Sequence, residues 1–132
     1  MVKLSTHVLD TANGRPAAGM GLELYRLDAD GQRTLVLRTR TNADGRCERP
    51  LLEGSDLARG RYCLRFAVGA YFAGNPATGE TREALASADA DRAGPLPFLD
   101  QVPIEFAIED PQQSYHVPLL VSPWSYTTYR GS

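Results

Sequence analysis

The chain has 132 residues, of which 42% are hydrophobic and 23% charged, a length and composition typical of one globular domain. Its formal net charge of -2, with no block of basic residues, disfavours a nucleic-acid-binding protein. No segment reaches the roughly 18 apolar residues of a membrane-spanning helix, and the N-terminal residues lack the apolar stretch of a secretory signal. We therefore expect one domain over residues 1–132, located in the cytoplasm, with neither nucleic-acid nor membrane partners.

Alternation of apolar and polar residues predicts strands along most of the chain. These strands cover residues 2–9, 21–27, 34–41, 61–68 and 102–109. Many short strands separated by turn clusters predict an all-β, two-sheet antiparallel sandwich. The only helix predicted is a short one over residues 55–58. The segment 74–97, rich in Gly, Pro, Ala, Thr and Asp, is interpreted as a long mobile loop.

The end of the chain combines a dense apolar stretch with a distinctive tetrapeptide. Residues 115–126 predict a closing strand that would fix the direction of the final Tyr129-Arg130-Gly131-Ser132. These four residues offer an aromatic ring, a guanidinium, a hydroxyl and a carboxylate, which together suit one wall of a binding site. An ordinary docked terminus is the alternative, and residue types alone favour it.

Two histidines and one arginine are the candidates for chemistry. His7 and His116 oppose the more apolar row of the first and last predicted strands, and imidazole suits acid–base catalysis because its pKa lies near neutral pH. Arg46 follows the turn cluster 42–45, and its guanidinium suits an oxyanion or a planar anion. Each residue alone is more typical of a solvated surface, but together they can support hydrolysis.

Several motifs resemble those of the 5-hydroxyisourate hydrolases, the transthyretin-related enzymes of purine degradation. They are LSTHVLD at 4–10, TNADGR at 41–46, YHVPLL at 115–120 and the closing YRGS, which transthyretin carriers do not share. The resemblance extends along the whole chain. Two departures are Ser114, where the family often has a further histidine, and the segment 74–96, which is longer than the compact family connection.

The resemblance implies a transthyretin-like β-sandwich that assembles as a homotetramer, with active sites between subunits and no metal or organic cofactor. Carried over position by position, the catalytic residues fall on His7, Arg46, His116 and Ser132. Tyr129 and Arg130 are expected to shape the substrate pocket. The implied reaction is attack of water on a ring lactam carbonyl of 5-hydroxyisourate, which opens the ring to 2-oxo-4-hydroxy-4-carboxy-5-ureidoimidazoline in urate degradation.

Alternatives remain open at this point. Which histidine is the base, and whether Ser132 acts through its hydroxyl or a terminal carboxylate, is undecided. A non-catalytic transthyretin-like or immunoglobulin-like module that binds a small ligand is the main rival, although a carrier does not need two titratable bases beside an arginine. A metal hydrolase would need a third ligand that no motif supplies. Cys47 and Cys63 lack CxxC spacing and are expected to be free thiols.

Overall fold

The computed structural model describes residues 1–74 and 96–131, which form nine β-strands and one α-helix. The strands are β1 (Lys3–Asp10), β2 (Arg15–Pro16), β3 (Gly21–Leu27), β4 (Arg33–Arg40), β5 (Leu52–Glu53), β6 (Gly60–Ala67), β7 (Gln101–Ile108), β8 (Tyr115–Val121) and β9 (Tyr126–Thr128). The helix α1 covers Val68–Phe72. Within the described ranges no helix could span a lipid bilayer. Most of the predicted loop over 74–97 lies outside these ranges, as does Ser132.

The strands form two sheets around one hydrophobic core. The five-stranded sheet has the order β2-β1-β8-β9, with β5 also paired to β1, and the four-stranded sheet has the order β4-β3-β6-β7. Every pair is antiparallel except β1 and β8, which run parallel. The predicted all-β, two-sheet sandwich is therefore confirmed, and its one α-helix is α1.

Alternation along the strands separates the core from the outer faces of the sheets. In β1, buried residues alternate with less buried ones over the whole strand, so that Leu4 and Val8 enter the core while His7 lies on the outer face. Phe66 of β6 packs into the same core from the other sheet. Each fully buried side chain of this kind stabilises the fold by about 2 kcal/mol. The core thereby fixes the face on which His7 is presented.

The helix predicted over residues 55–58 is wrong in position and kind. The chain forms a single 3-10 turn over Gly54–Asp56, and the residue before it supplies no side-chain cap. The turn stops because the backbone is extended again at Leu57, whose side chain is only 5% exposed. Burial of Leu57 in the core therefore outweighs the local helix propensity.

Two of the predicted strands give way to another element before their predicted ends. Val68, assigned to the strand at 61–68, begins α1 instead, because a buried apolar residue fits both the two-residue period of a strand and the first turn of a helix. The strand predicted over 115–126 is two strands, β8 and β9. The Ser122 hydroxyl oxygen accepts the N–H groups of Trp124 and Ser125 between them and makes the turn.

Candidate active site

The parallel pairing of β1 with β8 brings both histidines to one outer face. Ser5 lies opposite His116, and His7 lies opposite Pro118. Since alternate residues of a strand share a face, the two imidazoles are close neighbours on it. Ser5 and His116 are 111 positions apart in the sequence, so the tertiary fold, and not the local sequence, gathers this pair.

Arg46 reaches the same face from a turn that Asn42 holds. The Asn42 side-chain oxygen accepts the N–H groups of Asp44 at 2.9 Å and of Arg46 at 3.2 Å, which is an Asx-type turn. Gly45 has a φ of 76°, and a Cβ at this position would overlap the Val8 carbonyl oxygen. Only glycine fits there, and the turn that presents Arg46 therefore packs directly on β1.

His7 connects this turn to β1. It forms an isolated antiparallel bridge with Arg46, and its Nε2 lies 3.0 Å from the carbonyl oxygen of Asp44. A carbonyl oxygen only accepts, so the contact assigns the proton of His7 to Nε2 and its lone pair to Nδ1. The hydrogen bond also restricts the orientation of the ring, and His7 lies on the same outer face as His116 without lining the cleft described next.

A cleft of about 410 Å³ lies against this face, within the range of roughly 300–1,000 Å³ that is usual for small-molecule sites. His116 lines it together with three cationic residues, Lys3, Arg46 and Arg49, and one acidic residue, Glu48. The excess of positive charge favours a small anion, or a group on which negative charge develops during a reaction.

His116 is held in a form that can accept a proton. Burial lowers its pKa, and electrostatic interactions with Arg46, His7 and Lys3 lower it further, while an interaction with the backbone of Ser5 acts in the opposite direction. Its Nδ1 lies 2.8 Å from the Ser5 hydroxyl oxygen. A histidine with a lowered pKa is neutral at neutral pH, which is the state that a general base requires.

A cysteine thiol also lies at the cleft. Cys47 lines it, but burial raises the pKa of this thiol to about 11, so the thiolate nucleophile is scarce at neutral pH. Both cysteines are free, as predicted. Across residues 1–74 and 96–131, no three His, Cys, Asp or Glu side chains are grouped to hold a metal ion.

The closing tetrapeptide reaches the site through Gly131. Its N–H donates to the His116 carbonyl oxygen at 2.8 Å, which makes an isolated antiparallel bridge. A Cβ on Gly131 would lie 2.6 Å from Cδ2 of the His116 ring, so the glycine packs directly against the imidazole. Ser132 is the next residue in the sequence and lies outside the described ranges.

Tyr129 and Arg130 lie beside the site and not in its wall within this single chain. The Arg130 guanidinium stacks 4.2 Å from the centroid of the Tyr115 ring and donates to the Gln113 side-chain oxygen at 3.1 Å. This cation–π contact anchors the tail. Tyr129 is 58% exposed and points its ring to the surface of the chain.

Sequence reasoning assigned no role to Lys3, Ser5, Asn42 or Gly131. The two-residue period of β1 could have found Lys3 and Ser5, because they share the outer face with His7. The sequence Asn-x-Asp-Gly is a turn signal that could have found Asn42. Gly131 has no such local signal, since its contact depends on a strand from elsewhere in the chain.

Known proteins share this fold. A crystal structure of (S)-allantoin synthase has a TM-score of 0.79 and 42% sequence identity, and the match covers 98% of this chain but only 43% of that one. Sea bream transthyretin in complex with thyroxine has a TM-score of 0.75 and 26% identity, with 98% of this chain and 94% of that chain covered.

The sequence similarity is higher to an enzyme than to the carrier. The 5-hydroxyisourate hydrolase of Halalkalibacterium halodurans is 46% identical over 130 residues, which cover 98% of each chain. Residues 4–131 match the model of the HIUase/Transthyretin family. With nearly the whole length matched in both cases, this chain belongs to the HIUase/Transthyretin family.

Proposed function

We propose that this chain is an enzyme that hydrolyses 5-hydroxyisourate in urate degradation to 2-oxo-4-hydroxy-4-carboxy-5-ureidoimidazoline. The observation that carries the proposal is the shared cleft of Arg46 and His116, in a chain 46% identical to a 5-hydroxyisourate hydrolase over its whole length. A cytoplasmic location fits both cysteines being free, since disulfides are rare in that compartment.

In this reaction the oxygen of water attacks a ring lactam carbonyl carbon, and the lactam C–N bond then breaks. Nε2 of His116 takes one proton from the attacking water and returns it to the ring nitrogen that leaves. The second proton stays on the new carboxylic acid and ionises to solvent. A base positioned in this way accelerates hydrolysis roughly 10²- to 10⁴-fold, and the lowered pKa of His116 keeps it available.

Arg46 stabilises the negative charge that develops on the carbonyl oxygen. Within the described part of the chain, no hydrogen bond or ion pair occupies its guanidinium, so its donors are available to the substrate. Losing a donor of this kind typically slows turnover roughly 10²- to 10³-fold. His7, held by its Nε2 contact with Asp44, presents the lone pair of Nδ1 and orients the attacking water.

We extend the proposal to the terminal residues and to a homotetramer. Ser132, next to Gly131, orients water or substrate, and Tyr129 and Arg130 shape the pocket where subunits meet. In support, Tyr129 is 58% exposed and Trp124 is 71% exposed beside β9, and contact with another copy would remove this aromatic surface from water. Light scattering should give the mass of four chains; a monomer in an active sample would contradict this part of the proposal.

The activity is tested by generating 5-hydroxyisourate in situ from urate with urate oxidase and following its ultraviolet decay. The protein should accelerate decay over spontaneous hydrolysis, and Arg46→Gln should lower kcat/KM by about 10²-fold. Arg59→Gln is the matched control, because this arginine pairs with Glu109 on the surface. Unchanged decay with the wild-type protein would reject the enzyme, and ligand binding without turnover would then favour the carrier alternative.

A further inference from the structure

We infer that Ser5 and Gly131 are positioning residues for His116: Ser5 keeps the ring proton on Nδ1, Gly131 fixes the ring plane, and together they direct the Nε2 lone pair into the cleft. The effect of this arrangement on turnover rests on the proposed function. The arrangement itself concerns a ring orientation and a tautomer, which can be measured without any substrate.

The first support is the contact at Nδ1. The Ser5 hydroxyl oxygen lies 2.8 Å from Nδ1 of His116, and the parallel register places the two residues directly opposite each other. A serine hydroxyl both donates and accepts, so it can accept the Nδ1–H, and this arrangement leaves the lone pair on Nε2, which has no partner among the described residues.

The second support is the packing of Gly131 on the other edge of the ring. A Cβ at this position would lie 2.6 Å from Cδ2 and 3.2 Å from Cβ and Cγ of His116. Gly131 is not among the glycines with a positive φ, so its backbone conformation does not itself require glycine. The imidazole, and not the backbone, is what requires glycine here. Cδ2 is bonded to Nε2, so this contact supports the edge that carries the reacting nitrogen.

The two contacts restrict the ring from opposite sides. Ser5 holds Nδ1, Gly131 blocks rotation toward the tail, and the 2.8 Å hydrogen bond from the Gly131 N–H to the His116 carbonyl keeps the tail in place. Among the described residues, none forms a hydrogen bond with Nε2 of this ring. Within those residues no group competes with a water molecule for Nε2, as a base that acts on water requires.

The tautomer is measured by NMR of ¹⁵N-labelled protein at a pH above the His116 pKa. The sequence has two histidines, so the loss of one ring signal in His116→Asn assigns the spectrum. We expect the proton on Nδ1 in the wild type, a gain of the Nε2–H form in Ser5→Ala, and recovery in Ser5→Thr. Ser55→Ala, a change of an exposed serine, is the matched control and should leave the spectrum unchanged.

Turnover provides the second readout. Ser5→Ala and Gly131→Ala should lower kcat roughly 10- to 100-fold with KM nearly unchanged, because the base is displaced while the binding groups remain. Gly14→Ala is the control for glycine replacement: it strains a backbone with a φ of 66° but a Cβ there meets no atom within 4 Å. Slow exchange of the residue 131 amide in Gly131→Ala would show that the tail remains docked.

The outcomes separate the inference from the function on which it rests. If the wild type does not accelerate hydrolysis, the proposed function fails, and the NMR tautomer still decides the ring arrangement. If the wild type is active while Ser5→Ala and Gly131→Ala keep its tautomer and its kcat, the positioning roles are rejected. A wild-type spectrum with the His116 proton on Nε2 would reject the Ser5 contact by itself.

Discussion

The outer faces of the two sheets carry similar polar residues and use them in opposite ways. On the four-stranded sheet, Glu23 is only 8% exposed and accepts from Nε of Arg38 at 2.9 Å and from Nη2 of Arg65 at 3.1 Å. Arg65 also donates to the Tyr25 hydroxyl at 2.7 Å. Both Glu23 oxygens are thus paired in what we call a closed network, in which Nε of Arg65 is the one side-chain atom buried without a hydrogen-bond partner among the described residues.

The outer face of the five-stranded sheet, called the open face below, leaves its polar groups accessible from a cleft. Lys3 and Arg46 line that cleft with His116, and their positive charges lower the pKa of this histidine. In the described part of the chain, these three side chains have no buried carboxylate between them of the kind that Glu23 supplies on the other sheet.

The difference in charge pairing between the two outer faces indicates which of them carries the catalytic site. A buried carboxylate whose two oxygens each meet an arginine stabilises the fold and has little capacity left for a ligand. Like charges gathered around a half-buried base oppose its protonation and remain because a ligand or a transition state uses them. Substitutions should therefore separate the two faces cleanly, with activity changing on one and stability on the other.

The largest effect is expected for His116→Asn on the open face. Asparagine is roughly isosteric but provides no base, so kcat should fall by at least ~10²-fold. The free energy of unfolding should change by less than about 1 kcal/mol, because the side chain is partly exposed. Steady-state kinetics and urea denaturation followed by circular dichroism measure the two quantities. A nearly normal kcat would assign the base elsewhere.

Glu23→Gln tests the closed face and should give the opposite result. The amide removes the charge that two arginines face, and an uncompensated buried charge destabilises a protein by about 3 kcal/mol, or roughly 10 °C in Tm for a chain of this size. kcat should stay at the wild-type value, because Glu23 lies on the sheet away from the cleft residues. Arg59→Gln, which breaks an exposed pair, is the control and should change Tm little. Full stability of Glu23→Gln would show that the network is not closed.

The sequence predicted the strands and the histidines but not the contrast between the faces. Alternation is a local property, so β3 has the predicted bounds and His7 the predicted face. Lys3 and Arg65 are both basic residues on predicted strands, and the sequence does not show that they differ in role. They differ because Arg65 lies opposite Glu23 on the neighbouring strand, a pairing that only the fold creates. The parallel pairing of β1 with β8 and the contact of Gly131 with His116 are likewise non-local, and no short pattern encodes them.

A smaller effect is expected for Asn42→Ala, which alters the turn that presents Arg46 and leaves Arg46 itself in place. The substitution removes two hydrogen bonds within the turn, and each should lower the free energy of unfolding by about 1 kcal/mol. kcat/KM should fall about 10-fold because the guanidinium is no longer held in position. Asn42→Asp keeps the acceptor and should recover the unfolding midpoint. If Asn42→Ala keeps the wild-type kcat/KM, the catalytic contribution of Arg46 does not depend on this turn.

The smallest effect, and the most direct test of the electrostatics of the open face, is expected for Lys3→Gln. His116 acts as a base only when neutral, so kcat/KM falls as the pH drops through its pKa, which lies below the ordinary value of about 6.5. Removing the Lys3 charge should raise that pKa and move the acid limb to higher pH. Arg59→Gln should not move it, because Arg59 does not contribute to the pKa shift of His116.

The same substitution makes a linked prediction for stability. Because the folded pKa of His116 lies below its unfolded value, the unfolded chain binds the proton first as the pH falls. The stability that is present above about pH 6.5 is then lost as the pH drops through the folded pKa. Lys3→Gln brings the two pKa values closer and should reduce this loss. The unfolding midpoint, measured across this pH window, should depend less on pH in the variant than in the wild type. An equal pH dependence in both proteins would mean that the Lys3 charge does not affect the pKa of His116.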